Sequence, residues 1–165
     1  IDPNTKGDLG VEMDEQEIIF LQQLAIAREL KRPVSIHCRG AWDKLISLID
    51  QSSPLPAGFM IHCFGGSLEV AQELIKRGSY LSFSGTITRP NNTKAFKVLN
   101  NIPKNRILIE TDAPDLLPYG LNQELNEPAN LIHVLNRASE LMDLSAAMLA
   151  EQTYINACRF FNIEN

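Results

Sequence analysis

Four short runs rich in β-branched or aromatic residues, each followed by a longer stretch of helical periodicity, constrain the fold of this chain most. The runs are 33–38 (PVSIHC), 59–64 (FMIHCF), 80–84 (YLSFS) and 107–111 (ILIET), each bounded by Gly, Pro or polar clusters. Helical segments are expected over 14–30, 42–50, 67–76, 93–99, 128–142 and 145–161. In the first of these Ile18, Leu21, Leu24 and Ala25 share one face, and Pro33 stops the helix soon after. Ser67 is placed to cap the third, Gly78 to end it, and Pro128 to open the fifth. Strands joined by helical crossovers run the same way, so the sheet should be parallel and covered by helices. The strand-end positions His37, His62, Ser84 and Asp112 lie 25, 22 and 28 residues apart. Eight units of roughly 25–30 residues make the usual (β/α)8 barrel of ~250 residues. Four are evident here, so residues 1–165 read as a single domain, the C-terminal half of an α/β TIM barrel whose first half is absent.

Composition narrows the class. With 44% hydrophobic and 21% charged residues the chain is an ordinary globular one, not a disordered, collagen-like or disulfide-stapled one. No apolar run approaches the ~18–20 residues of a membrane span. A net charge of −5 argues against a broad basic surface for wrapping nucleic acid. It leaves room for a nuclease whose metal ions neutralise phosphate locally. Cys38, Cys63 and Cys158 form an odd set without framework spacing, which suits free thiols in a reducing cytosol and a cytoplasmic protein. Half a barrel leaves two sheet edges open, to be covered by the missing N-terminal half or by a second copy.

The alternation of side chains along a strand sorts these residues by face. Ser35, His37 and Arg39 share the polar, inner face of the first run, and Val34, Ile36 and Cys38 the outer one. The same phase puts Met60, His62 and Phe64 inside and Phe59, Ile61 and Cys63 outside, with Leu108, Glu110 and Asp112 inside in the last run. His37, His62 and Asp112 therefore meet at the C-terminal ends of parallel strands, where α/β barrels build their active sites. Two imidazoles and a carboxylate there suit a divalent ion such as Zn²⁺ or Mn²⁺.

The blocks PVSIHCR (33–39), IHCFGGS (61–67), YLSFSG (80–85) and ILIETDAP (107–114) resemble successive blocks of the TatD family of metal-dependent deoxyribonucleases. Asn126-Glu127-Pro128, and Thr153, Asn156, Ala157 and Phe160, match its C-terminal helices. The resemblance implies an amidohydrolase-like TIM barrel with a two-ion site (Mg, Mn or Zn) that cleaves DNA phosphodiester bonds with a metal-activated water. By motif, His37, His62 and Asp112 fall on the family's metal ligands. The family's N-terminal His-x-His and the Glu of its Glu-Ile-Gly-Leu-Asp block are not in this sequence; Ile1-Asp2 match the last residues of that block.

Roles in such an enzyme follow residue by residue. Asp112 would ligate metal and take a proton from the attacking water. Arg39 would present a forked donor to phosphate, or pair with Glu110. Glu110, one layer beneath Asp112, suits support of the ligands better than catalysis. Gly65-Gly66-Ser67 would receive an anion on its amides, or simply form a tight turn with a Ser cap. Ser84 and Gly85 face the pocket by phase. Asn126 follows loop 113–125, a natural substrate wall, and Leu125 stands where the family often has Arg. Trp42 would pack beneath a helix or stack on a base, and His133 is a solvated helix residue. On the residues alone, a metal-dependent amidohydrolase or esterase of small molecules, or a catalytically incomplete fragment, are the competing readings.

Overall fold

Each of the four β-rich runs forms a strand, and each hands over to a helix, in the computed structural model of the chain, which describes residues 1–3, 12–52 and 54–163. The order is α1 (Met13–Glu29), β1 (Val34–His37), α2 (Trp42–Gln51), β2 (Phe59–His62), α3 (Leu68–Lys76), β3 (Tyr80–Phe83), α4 (Thr93–Leu99), β4 (Ile107–Ile109), α5 (Leu131–Leu141) and α6 (Ala146–Phe161). All neighbours pair in parallel in the order β1-β2-β3-β4, with His37 opposite His62, Ile61 opposite Leu81 and Phe83 opposite Ile109. Each strand lies beside its predecessor, so there is no switch point of the kind a doubly wound sheet has. This is the winding of a barrel.

Local chemistry marks the helix ends. Ser67 Oγ accepts from the Val70 amide at 3.3 Å, and Ser145 Oγ from the Met148 amide at 3.2 Å. Gly78, just past α3, sits at φ +90, a conformation that suits glycine. Pro128 opens a 3₁₀ turn, Pro128–Asn130, that leads into α5 rather than the α-helix itself.

The outer face of the sheet packs Ile36, Ile61, Leu81, Phe83 and Ile107 against the helices, and this is the main core. A smaller cluster on the inner face joins Tyr80 and Leu108 to Phe160 of α6. In α1 the expected face holds at Leu24, which is buried, and at Leu21 and Ala25, which are half-buried, but Ile18 is 57% exposed and Phe20 packs against the core in its place. The helix is rotated by polar ties. Gln16 exchanges two hydrogen bonds with the Asp2 backbone, and Glu17 pairs with Lys44 at 2.7 Å. Among the described residues, no helix is long and apolar enough to cross a membrane.

Candidate metal centre

Parallel register places His37 and His62 side by side at the ends of β1 and β2, with ring centroids 6.0 Å apart. Past β4 the chain stays on the ladder for one more residue, the Glu110 amide donating to the Phe83 carbonyl at 3.0 Å. Glu110 then faces His62: Oε1 lies 2.9 Å from Nδ1. Oε1 also accepts from the Cys63 amide at 2.7 Å, and Oε2 from Ser82 Oγ at 2.6 Å. With three donors on it, Glu110 is fixed and in turn fixes the ring. Asp112, at φ +61, turns the chain so that Oδ1 comes to 3.1 Å from His62 Nε2. His62 thus stands between two carboxylates.

Asp2 completes the rim. The Ile1 nitrogen donates to the His37 carbonyl at 2.7 Å, and the Ile1 carbonyl accepts from the Arg39 amide at 3.0 Å, so the chain start lies along the end of β1. This brings Asp2 Oδ2 to 3.9 Å from His37 Nε2.

The donor set fits a divalent ion in kind. Glu110 lies against Nδ1 and so orients the ring, and Nε2 is directed at Asp112 Oδ1. Two electron-rich atoms 3.1 Å apart need a proton or a cation between them. Ligand atoms about 2.0–2.2 Å from one ion stand roughly 3 Å from each other, which matches. His37, with its side chain 58% exposed, borders this pair. Among the described residues no three His, Cys, Asp or Glu side chains close on one point as they stand.

Several other residues take places that strand phase alone does not give. Cys63, expected outside, and Phe64, expected inside, are exchanged. Cys63 adopts φ +46, which breaks the alternation, so its amide reaches Glu110 and its Sγ lies 3.0 Å from Ser84 Oγ. Phe64 turns into the outer core, 5.3 Å from Trp42 and 6.2 Å from Phe83 between ring centroids. Burial pushes the Cys63 thiol up, so it keeps its proton at neutral pH. Ser84 faces the site yet is fully buried, its hydroxyl engaged by Cys63 and Thr86. Gly85 lies under the wall loop, with the Leu116 carbonyl where a β-carbon would stand. Arg39 is exposed and makes no ion pair with Glu110. Trp42 packs as a core aromatic, and His133 is solvated.

Ser82 and Asp2 were not singled out from the sequence. Ser82 shares the inward phase of Tyr80 and Ser84, a signal strong enough to have placed it near Glu110. Asp2 was matched only as the end of the family's Glu-containing block, not as a site residue, and the pairing of Ile1 with β1 brings it to His37.

Asn126 is 5% exposed and has no free valence for substrate. Its Nδ2 donates to the Thr111 and Asp115 carbonyls, both at 2.7 Å, and its Oδ1 accepts from the Glu127 amide and Asn130 Nδ2. These bonds clamp the loop on which Asp112 sits. Asn126→Ala is expected to cost about 2–3 kcal/mol in urea denaturation, from several lost bonds of ~0.5–1.5 kcal/mol each. An unchanged midpoint would contradict the clamp.

The family model described as TatD related DNase matches residues 8–162. The chain is 37% identical over 150 residues to the uncharacterized metal-dependent hydrolase YabD of Bacillus subtilis (strain 168), covering 91% of this chain and 59% of that protein. It is 38% identical over 155 residues to the 3′-5′ ssDNA/RNA exonuclease TatD of Escherichia fergusonii, covering 91% and 60%. The crystal structure of YJJV, a TatD homolog from Escherichia coli K12, superposes with a TM-score of 0.87 at 30% identity, covering 95% of this chain and 61% of that one. The chain thus spans about three fifths of the length of the relatives it matches.

Proposed function

The chain belongs to the family of TatD-related DNases, with their TIM-barrel hydrolase fold, and on that premise we propose that its strand ends form part of a divalent-metal centre that hydrolyses DNA phosphodiester bonds. The observation that carries this reading is the placement of His62 between Glu110 and Asp112, beside His37. His37 and His62 would hold metal through ring nitrogens, and Asp112 through Oδ1. Bound there, one or two ions of Mg²⁺, Mn²⁺ or Zn²⁺ supply an acidified water and positive charge against the phosphate. Glu110 orients the His62 ring through Nδ1, and Ser82 and the Cys63 amide hold Glu110. Asp112 Oδ2, which has no hydrogen-bond partner among the described residues, receives the proton of the attacking water. Arg39 and the amides of the Gly65-Gly66-Ser67 turn would contact phosphate oxygens. Coverage of the two sheet edges by further barrel strands or a second copy belongs to this reading. So does a reducing, cytoplasmic setting, in keeping with three cysteines that form no disulfide, two of them buried.

A single-stranded substrate is favoured by the exonuclease name of the relative above. The test is to incubate single-stranded DNA and a small carboxylic ester with the protein in Mg²⁺, in Mn²⁺ and in EDTA, and to measure bound metal. DNA cleavage that needs the ion supports the reading. Ester turnover without DNA cleavage, or cleavage indifferent to EDTA, overturns it.

A further inference from the structure

The two histidines at the strand ends are held unequally. His62 stands between Glu110 and Asp112, with its side chain 25% exposed. The His37 side chain is 58% exposed, and among the described residues the only polar side chain within ion-pair range of its ring is Asp2, with Oδ2 3.9 Å from Nε2. We infer that Asp2 is a positioning residue of the metal centre: its carboxylate holds the His37 ring through Nε2, and Gln16 of α1 holds Asp2 in turn. The inference rests on the metal-centre reading above and gives roles to two residues that reading leaves unused.

Three observations carry it. The first is how the chain start is laid down. The Ile1 nitrogen donates to the His37 carbonyl, and the Ile1 carbonyl accepts from the Arg39 amide. These are the two bonds by which a residue pairs with a parallel neighbour, here Cys38. Cys38 packs in the outer core, so Ile1 takes the outer phase and Asp2, one residue on, takes the inner phase of His37. Backbone pairing thus aims the carboxylate at the site.

The second is a clamp. Gln16 Oε1 accepts from the Asp2 amide and Gln16 Nε2 donates to the Asp2 carbonyl, both at 3.0 Å. A side-chain amide that meets both polar groups of one residue fixes its place and its orientation. Glu17, paired with Lys44 at 2.7 Å, ties the same turn of α1 to α2.

The third is the choice of nitrogen. Glu110 lies against Nδ1 of His62 and leaves Nε2 toward Asp112. Asp2 lies toward Nε2 of His37 and leaves Nδ1 for the ion. Each ring then has one nitrogen facing a carboxylate that orients it and the other for metal, the common arrangement of a ligating imidazole. Closure of the Asp2–His37 pair by roughly 1 Å makes it a hydrogen bond of ~2.9 Å. Without such a partner an exposed ring gives up rotamer freedom on taking an ion, and affinity falls.

The experiment reads Asp2→Asn, which keeps the shape of the side chain and removes its charge. Titration calorimetry with Zn²⁺ should show about tenfold weaker binding than wild type, the lower end of what loss of such a partner costs. Gln16→Ala should weaken Zn²⁺ several-fold. In a His37→Ala background Asp2→Asn should cost nothing further, because Asp2 acts only through that ring. In EDTA the ring-proton NMR signals of His37 should move in Asp2→Asn, and those of His62 and His133, the other two histidines, far less. Melting curves of wild type and Asp2→Asn in EDTA should coincide, since the bonds to Gln16 are made by the Asp2 backbone. Unchanged Zn²⁺ affinity in Asp2→Asn, or a loss that persists undiminished without His37, would overturn the positioning role. A wild type that takes up no Zn²⁺ sinks the metal-centre reading, and the His37 signals then decide the Asp2 contact by themselves.

Discussion

Under the proposed function, replacing His62 with alanine is expected to reduce metal-dependent cleavage of single-stranded DNA by at least about a thousandfold, equivalent to ~4 kcal/mol of transition-state stabilisation. The magnitude follows from the position. The His62 side chain is in contact with both Glu110, at 2.9 Å, and Asp112, at 3.1 Å. Removing it takes away a ring nitrogen for the metal and leaves two carboxylates facing each other with no cation between them. Glu110 keeps its bonds from the Cys63 amide and Ser82, so the sheet should survive. The measurement is single-turnover kcat/KM together with bound metal and a melting curve. Wild-type rates in a folded variant that still binds metal would remove His62 from the chemistry.

The largest effect on stability should come from Phe83→Ala, at about 3–5 kcal/mol in urea or guanidinium denaturation. Phe83 is 1% exposed on the outer face of β3, an interior strand of the sheet, and its ring meets Phe64 edge-on at 6.2 Å. Truncation would leave a void between the sheet and α4, and such a loss is a large fraction of the ~5–15 kcal/mol that holds a domain together. A loss below about 1 kcal/mol would mean that the layer collapses around the gap.

Much of this was legible without coordinates. The β-rich runs lie where the strands are, because short apolar segments with turn residues at both ends leave few other ways to bury themselves. Parallel order followed from the intervening helices. His37 and His62 stand side by side because alternation is a property of the extended backbone, whereas Asp112 reaches His62 through a turn at φ +61 beyond β4. Where extended backbone ends, so does that reasoning. Cys63 leaves it for φ +46, at a steric cost for a residue with a β-carbon, and the exchange of Cys63 with Phe64 follows. The bonds to Glu110 and Ser84, together with the burial of Phe64, offset that cost, and both bonding partners are distant in sequence.

Asn126 and Ile18 illustrate the same limit. A polar residue before a helix looks like a ligand contact until both amide hydrogens are seen on the Thr111 and Asp115 carbonyls. Periodicity placed Ile18 on the apolar face of α1, but the ties of Gln16 and Glu17 decide which side of the helix turns inward. What the sequence determined on its own was the order of strands and helices, and which side chains each strand sends to which face. These depend on neighbours within a few residues. What only the tertiary structure decided was the turns beyond the strand ends, the roll of α1 and the engagement of each polar group. Those depend on partners tens of residues away, whose approach no local pattern encodes.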